Sequence, residues 1–391
     1  MKHRRRVCVV TGARSEYGLL YWIIKEIKES PSLELDLVVT GMHLAPEFGL
    51  TYQAIEDDGF NINRKVEMLL SSDSPLGTIK SVSLGMSGFG DAYVELNPDI
   101  VFLLGDRFEL FAAASAALFL GIPICHMHGG EVTVGAVDDA IRHSITKMSH
   151  LHLTATEQCR QRVIQLGERP ESVFNVGAPG LENIARLDLL SKSEVEERIG
   201  KELGERSLLV AWHPPTLSKG EEEQQLRVLL EALRSSKANL IFSSANADAG
   251  GRSINLAIEE FVSRNSKRAS YHESFGRNLY LSILHHVSGI IGNSSSGIIE
   301  APSIPLPAIN IGDRQVGRER ATSVIDCSAD LTEIDAALRK IFDPEFQRIV
   351  KNTKNPYGGG YVATRVASLL ESADLSGVKK KRFYDLDMAM V

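Results

Sequence analysis

Short runs of β-branched and other apolar residues alternate with amphipathic segments along the whole chain. In the first half, these runs predict strands at 6–11, 35–40, 99–104, 122–126 and 151–155, with helices at 17–30, 108–120 and 138–149. A second series follows residues 167–170, with strands predicted at 173–176, 207–213, 240–243, 289–292 and 307–311. Strands that alternate with helices are typical of βαβ units, so the pattern predicts an α/β protein with parallel, doubly wound sheets.

The length of 391 residues favours two domains, each large enough to bury its own core. A Gly-Ala-Pro-Gly segment at 177–180 and a charged predicted helix at 192–203 lie where a linker and the entry to a second domain would fall. We therefore expect an N-terminal Rossmann-like domain over 1–168 and a C-terminal one over 169–360. The natural arrangement is two such domains facing a central cleft.

The net charge of −7 and the pI near 5.9 argue against a nucleic-acid or membrane-surface binder. The basic segment 2–6 precedes an apolar run that is too short for a signal peptide, and the apolar stretch 112–125 is too short to span a membrane. We therefore expect a cytoplasmic protein. The four cysteines are scattered without a CxxC pair, which favours buried reduced thiols.

Polar residues follow directly after most of the predicted strands, where doubly wound sheets bind their ligands. The clusters contain Arg14, His43, Asp106, Arg107, His128, Glu131, Asp138, His213, Asn246 and Arg314. One such residue alone has an ordinary explanation as a helix cap or a surface charge. Together they indicate a binding site, because buried charges are costly unless they are paired or used.

The segment 289–300 (GIIGNSSSGIIE) is the most informative of these clusters. A predicted strand ends at Gly292, and Ser294, Ser295 and Gly297 lead into a predicted helix. Unpaired N–H groups and the helix dipole at such a turn suit an anion such as phosphate, and Glu300 could accept hydrogen bonds from ribose hydroxyls. The turn is neither a Walker A loop nor a GxGxxG dinucleotide turn. An ordinary capped βα loop is the alternative.

His126, His128 and Glu131 are candidate metal ligands, because two histidines two residues apart in a strand share a face. The pattern HxHGGE lacks a third histidine at zinc spacing, so zinc is not favoured. A P-loop kinase and a nicotinamide enzyme are disfavoured further, because their phosphate fingerprints are missing.

Several blocks in order resemble the hydrolysing UDP-N-acetylglucosamine 2-epimerases of bacterial sialic-acid and legionaminic-acid biosynthesis. They are GDR at 105–107, HGGE at 128–131, RHSITKMS at 142–149, GNSSSG at 292–297 and IGDRQ at 311–315. The resemblance covers residues 6–370 and implies a GT-B-like fold in which a C-terminal helix, within 361–391, completes the first domain. It also implies a UDP-sugar substrate, a UDP product, a reaction without metal or nicotinamide, and a homodimer or homotetramer.

The implied reaction eliminates UDP from C1 while the C2 proton is removed, and water then adds to the 2-acetamidoglucal to release N-acetylmannosamine. The resemblance places acid–base residues in the first domain and the UDP site in the second. Proton transfer is assigned to Asp106, Glu131 and Asp138, with His128 as a further acid or base. The diphosphate is assigned to His213, Ser294, Ser295 and Arg14, the ribose to Glu300, the sugar–phosphate end to Arg314, and further substrate contacts to His43, Arg107, Asn246, Phe275 and Gly297.

Two departures from the wider family favour the hydrolysing branch. Related enzymes often carry a carboxylate where this chain has His128, and the non-hydrolysing members have a lysine near the position of Leu19. UDP-N,N′-diacetylbacillosamine is the alternative substrate for the same chemistry. A GT-B glycosyltransferase and a non-catalytic nucleotide-sugar sensor are more distant alternatives, because neither needs a cluster of acids.

Overall fold

The computed structural model describes residues 4–71, 74–133, 137–213, 222–245, 251–376 and 380–386. The chain divides into two compact units. Unit 1 contains Met1–Glu182 and Gly360–Val391, and unit 2 contains Asn183–Gly359. Each unit is an α/β domain built on its own parallel sheet.

The sheet of unit 1 has seven strands in the order β3-β2-β1-β4-β5-β6-β7, all parallel. Its strands are β1 (Arg5–Thr11), β2 (Leu33–Thr40), β3 (Arg64–Val66), β4 (Ile100–Leu104), β5 (Ile124–Met127), β6 (Leu151–Thr154) and β7 (Val173–Asn175). All five residues of β4 are buried, as expected for a central parallel strand that helices cover on both faces. Successive strands are added on one side of β1 up to β3 and on the other side from β4 onward, so the carboxyl ends of β1 and β4 form the switch point at which such sheets bind ligands.

The helices of unit 1 cover both faces of this sheet. They are α1 (Arg14–Glu29), α2 (Tyr52–Asp57), α3 (Pro75–Leu96), α4 (Phe108–Phe119), α5 (Val137–Met148), α6 (Glu157–Gln165) and, at the far end of the chain, the helix Val362–Ser372. This last helix packs on α1 and adds Val366 and Leu370 to the apolar core of unit 1. The C-terminal helix is therefore part of unit 1.

Unit 2 repeats the same topology with six parallel strands in the order β10-β9-β8-β11-β12-β13. The strands are β8 (Ser207–Ala211), β9 (Asn239–Ser243), β10 (Ala269–His272), β11 (Gly289–Gly292), β12 (Ala308–Ile311) and β13 (Val324–Cys327). The helices are α7 (Glu182–Arg186), α8 (Lys192–Ile199), α9 (Glu222–Ser235), α10 (Gly251–Arg264), α11 (Gly276–His286), α12 (Ser296–Ile299), α13 (Leu331–Lys340) and α14 (Pro344–Lys351), and the helix Val362–Ser372 is α15. α8 begins with a capping box between Ser191 and Glu194.

The strand predicted at 173–176 was assigned to the second series, and that assignment is wrong. β7 pairs in parallel with β6 and forms the edge of the unit 1 sheet. The first division between the units accordingly falls after Glu182 rather than after Glu168. Periodicity located the strand, but only the pairing of its backbone shows which sheet it joins. The sequence pattern also gave no strand at β3, β10 or β13.

Within the described residues, none of the helices is long and apolar enough to cross a membrane.

Candidate active site

In unit 1 the predicted acid residues lie around one guanidinium group. Arg142 lies on α5 with only 5% of its surface exposed, and it donates a hydrogen bond to the Oδ2 atom of Asp106. It also donates to the carbonyl oxygen of Glu131 at 2.8 Å and to the hydroxyl of Thr133 at 2.9 Å. A buried arginine with several acceptors is firmly placed. Arg142 therefore ties the turn after β4 to the segment after β5.

Asp138 lies in the first turn of α5, four residues before Arg142, so both residues project from one face of the helix. Its side chain is exposed. Partial desolvation raises the pKa of Asp138, and the negative charge of Asp106 raises it further. Asp138 is thereby suited to holding a proton at a pH at which an ordinary aspartate would have lost it.

His128 and Glu131 form a second pair beside this cluster. The Nδ1 atom of His128 is in hydrogen-bond contact with the Oε1 atom of Glu131. The Nε2 atom of His128 is buried and has no hydrogen-bond partner among the described residues. When Nδ1 donates to the carboxylate, Nε2 carries the free lone pair, which is the arrangement of an oriented general base.

Arg107 follows Asp106 directly and is held by a carboxylate that the sequence analysis did not select. Its Nε and Nη2 atoms donate to the two oxygens of Glu109 at 3.2 and 2.9 Å. Burial disfavours the charge of Arg107, but the fully buried Glu109 beside it raises the pKa of the guanidinium. Burial and the charge of Glu109 also raise the pKa of the neighbouring Glu16, whose Oε1 atom has no described partner.

Two histidines of unit 1 have both ring nitrogens engaged. His43 is fully buried, with Nε2 at 3.2 Å from the hydroxyl of Thr11 and Nδ1 at 2.8 Å from that of Thr51. The Nε2 atom of His126 is 2.8 Å from the carbonyl oxygen of Gly105, which lies in the turn just before Asp106. Burial lowers the pKa of His43 to about 4 and that of His126 to about 3.

Arg14 is exposed at the start of α1, so its position alone indicates no contact with the acid cluster. Among the described residues, no three His, Cys, Asp or Glu side chains form a group that could hold a metal ion.

In unit 2 the predicted diphosphate residues are arranged around Asn293. Its Oδ1 atom accepts a hydrogen bond from the backbone N–H of His213 at 2.8 Å, and its Nδ2 atom donates to the carbonyl oxygen of His213 at 2.7 Å. The carbonyl oxygen of Asn293 accepts from Arg314 at 3.0 Å and from Gln315 at 2.9 Å. Burial and the positive charge of Arg314 lower the pKa of His213 to about 4. Asn293 thus fixes the strand ends that carry His213 and Arg314.

The loop after β11 follows the predicted outline, but its helix is much shorter than expected. α12 is a single turn, Ser296–Ile299, so a helix dipole contributes little here. The backbone N–H groups of Ser294 and Ser295 have no hydrogen-bond acceptor among the described residues, whereas that of Gly297 donates to the carbonyl oxygen of Ser294. Two free N–H groups and two hydroxyls at this turn suit an anion.

The start of this loop requires glycine at position 292. Gly292 has a φ of +140°, and a Cβ atom built there would lie 2.0 Å from the carbonyl oxygen of Ala211. The missing Cβ of Gly297 faces the sheet, at 3.4 Å from Ala308. Gly292 therefore allows the loop to lie close to β8, whereas a Cβ atom at Gly297 would make only an ordinary van der Waals contact.

The other predicted contacts of unit 2 are less well defined. Burial raises the pKa of Glu300, and its Oε2 atom is buried without a described partner. Phe275 lies beside His272, with 4.9 Å between the ring centroids, and packs against the core of unit 2. Asn246 lies outside the described residues.

Sequence reasoning missed the groups that hold the selected residues in place: Arg142, Glu109, Asn293 and Gln315. A signal existed for Arg142, because it lies four residues after Asp138 on one predicted helix. Glu109 could have been noticed two residues after Arg107. The roles of Asn293 and Gln315 depend on contacts between different loops, which spacing does not reveal.

The family model for UDP-N-acetylglucosamine 2-epimerase matches residues 25–371 of the chain. A Campylobacter jejuni protein named GDP/UDP-N,N′-diacetylbacillosamine 2-epimerase (hydrolyzing) is 40% identical over 98% of this chain and 100% of its own. Polysialic acid biosynthesis protein P7 of Escherichia coli is also 40% identical, over 98% of both chains. The UDP-N,N′-diacetylbacillosamine 2-epimerase (hydrolyzing) of Legionella pneumophila is 35% identical over 95% of this chain and 97% of its own.

Among solved structures, the UDP-GlcNAc 2-epimerase of Neisseria meningitidis, crystallised with UDP-GlcNAc, superposes with a TM-score of 0.78. The match covers 93% of this chain and 99% of that chain at 19% identity, so it bears on the fold alone. The expected fold of two Rossmann-like domains of the GT-B type is confirmed.

Proposed function

The chain belongs to the UDP-N-acetylglucosamine 2-epimerase family, and on that basis we propose that it is a hydrolysing 2-epimerase of a nucleotide-linked 2-acetamido sugar. The observation that carries the proposal is the cluster around Arg142, which brings Asp106, the Glu131 segment and the helix of Asp138 together in unit 1. Epimerisation at C2 through elimination needs one group that accepts a proton and another that donates one. Asp138 and the oriented imidazole of His128 are such groups.

In the proposed first step, a base removes the C2 proton, and the electrons of the C2–H bond form the C1–C2 double bond. The C1–O bond breaks at the same time, and its electrons leave with the β-phosphate oxygen of UDP. In the second step, a hydroxyl adds to C1 and a proton to the opposite face of C2, which gives the free 2-epimeric sugar. One water is consumed and UDP is released.

We assign the base role to the Nε2 atom of His128, with Glu131 orienting the ring, and the proton-donor role to Asp138. Asp106 accepts a hydrogen bond from Arg142, and its charge supports protonation of Asp138. Arg107, backed by Glu109, supplies a fixed positive charge in the same unit.

We assign the UDP moiety to unit 2. The free N–H groups of Ser294 and Ser295 and the guanidinium of Arg314 suit the diphosphate, and His213 lies beside Arg314. The carboxyl group of Glu300 suits the ribose hydroxyls. Arg14, Asn246, Phe275 and Gly297 complete the proposed substrate contacts. His43 is not included, because it is fully buried and both of its ring nitrogens are engaged by threonine hydroxyls.

We propose UDP-N,N′-diacetylbacillosamine as the substrate. The sequence-based prediction put UDP-N-acetylglucosamine first and this sugar second, but the names of two of the similar relatives support the second better. UDP-N-acetylglucosamine is retained as the second candidate, because the matching family model is named for it.

The decisive assay incubates the purified protein with each sugar nucleotide in D₂O without an acceptor. We expect UDP release together with a free 2-epimeric sugar that carries deuterium at C2, and a higher kcat/KM for the diacetylated sugar. The GDP-linked form of that sugar is a third arm, which tests the choice of nucleotide. UDP release only when an acceptor is added would indicate a glycosyltransferase, and binding without turnover would indicate a sensor.

A further inference from the structure

A lysine near the end of the chain caps the helix that carries Asp138. The ammonium group of Lys381 donates to the carbonyl oxygens of Lys147 at 2.7 Å and Ser149 at 2.6 Å. These carbonyls lie at the C-terminal end of α5, where the helix itself offers no donors. A cation at this end also interacts favourably with the helix dipole.

The third hydrogen of the same ammonium group is directed to a buried carboxylate. The Nζ atom of Lys381 is 2.7 Å from the Oε2 atom of Glu168, whose side chain is 2% exposed. Glu168 also contacts Lys147 at 2.8 Å and His152 at 2.9 Å. Burial alone would raise the pKa of Glu168, but these partners lower it to about 2. Glu168 therefore stays charged and needs its cations.

Phe383, two positions after Lys381, holds the same part of the chain in place. The ring of Phe383 lies on Gly167, where a Cβ atom would be only 2.4 Å from the ring. The Nζ atom of Lys147 is 4.5 Å from the centroid of that ring, and the N–H of Tyr384 donates to the carbonyl oxygen of Gly167 at 3.0 Å. Lys381, Phe383 and Tyr384 are thus bound through side chains and backbone, and we refer to residues 381–384 as the C-terminal clasp.

The clasp and the acid cluster lie at opposite ends of α5. The helix has twelve residues, and Lys147 lies nine positions after Asp138, which corresponds to about 14 Å of rise. Arg142, which holds Asp106, lies between the two ends. A shift of α5 along its axis would move Asp138 and Arg142 together.

We propose that the C-terminal clasp sets the position of α5 in the catalytic cluster, with Lys381 and Phe383 as positioning residues for the reaction. The inference rests on the proposed function, because it assigns a consequence for turnover. Neither residue touches the acid cluster, so the effect is transmitted through the helix.

The test compares Lys381→Met with Lys380→Met, its matched control. Lys380 is the adjacent lysine and is exposed, and no described residue holds its side chain. We expect Lys381→Met to lower kcat about tenfold, as a small misplacement of catalytic groups does, with KM changed less than twofold. Lys380→Met should match the wild type. Lys381→Arg should recover most of the activity, because a guanidinium can donate to the same carbonyls.

Hydrogen exchange supplies the second readout. Amides in the last two turns of α5 should exchange about tenfold faster in Lys381→Met and in Phe383→Ala than in Lys380→Met. Equal kcat and equal α5 exchange in Lys381→Met and Lys380→Met would overturn the proposal, as would a loss of kcat without faster exchange in α5. If the wild type turns over no sugar nucleotide, the proposed function fails, and exchange alone then decides whether the clasp holds α5.

Discussion

The guanidinium of Arg142 donates to the carboxylate of Asp106 across the gap between α5 and the turn after β4. Arg142 is buried, so this contact joins the two segments that carry the acids of unit 1. Asp106 is consequently held as the partner of a cation, while its charge raises the pKa of Asp138. The two aspartates therefore have different surroundings, which is how one site obtains groups of different protonation.

Replacing Asp106 by Asn should lower kcat by about a hundredfold or more, because the charge that supports protonation of the proposed proton donor Asp138 and pairs with Arg142 is lost. UDP affinity should be unchanged, because its proposed site is in unit 2. The limb of the pH–rate profile that reports the ionisation of Asp138 should also move to lower pH, because the charge of Asp106 that raises the pKa of Asp138 is lost. Near-normal turnover in Asp106→Asn would remove Asp106 from the mechanism.

Variants of His128 and Glu131 should distinguish the residue that transfers the proton from the residue that orients it. We expect His128→Gln to lower kcat about a hundredfold or more and Glu131→Gln about tenfold to a hundredfold, because the imidazole keeps its lone pair but loses its orientation. Ser144→Ala is the control, since that exposed hydroxyl bonds only to the carbonyl oxygen of Ala140 within α5. The assignment is reversed if Glu131→Gln loses far more activity than His128→Gln.

The diphosphate site should respond to small changes in the loop after β11. Ser295→Ala should weaken UDP binding by about 1 kcal/mol, the worth of one hydrogen bond, and His213→Ala should weaken it by more. Calorimetric titration with UDP measures both, with Ser263→Ala as the control, because that exposed hydroxyl bonds within α10. Unchanged UDP affinity in both Ser295→Ala and His213→Ala would mean that the phosphates bind elsewhere.

Asn293 should matter more for UDP binding than any single serine, although it is buried beneath the loop. Asn293→Ala removes both hydrogen bonds that hold the backbone of His213 in place. We expect UDP affinity to fall by about 2 kcal/mol or more. Asn293→Asp keeps one acceptor but turns a second oxygen toward the carbonyl of His213 and adds a negative charge beside the proposed diphosphate site, so it should weaken UDP binding at least as much as the alanine variant. Unchanged UDP affinity in Asn293→Ala would exclude a role for these two bonds.

The buried histidines should make unit 1 sensitive to acid. The unfolded chain protonates His126 near pH 6.5, but the folded state protonates it only near pH 3, so falling pH favours unfolding throughout that interval. His43 and His150, with pKa values lowered to about 4, act in the same direction.

Urea unfolding between pH 7 and pH 5 tests this sensitivity. Trp22 reports on unit 1 once Trp212, which lies in unit 2, is replaced by Phe. In His126→Gln the slope of stability against pH should fall by about 1.4 kcal/mol per pH unit below pH 6.5, the contribution of one proton. An unchanged slope would mean that His126 is not the group that takes up the proton.

Many features of the fold could be predicted from single segments. β4 and β11 were located to within a residue, because a buried parallel strand is a short continuous apolar run. β3 and β10 were missed, because they are short edge strands with polar residues. β7 was located but given to the wrong sheet, since strand pairing is a relationship between distant segments.

The sequence by itself determined the α/β class, the positions of most central strands and the residues that follow them, because hydrophobic periodicity and turn chemistry are local properties. Tertiary structure alone decided which of those residues are paired. Arg142 reaches Asp106 from another element, Asn293 holds His213 across eighty positions of the chain, and Lys381 caps a helix that ends more than two hundred positions earlier. Such contacts depend on how the strands are ordered in the sheet and on where the chain ends fold back. Spacing along the chain carries no record of either.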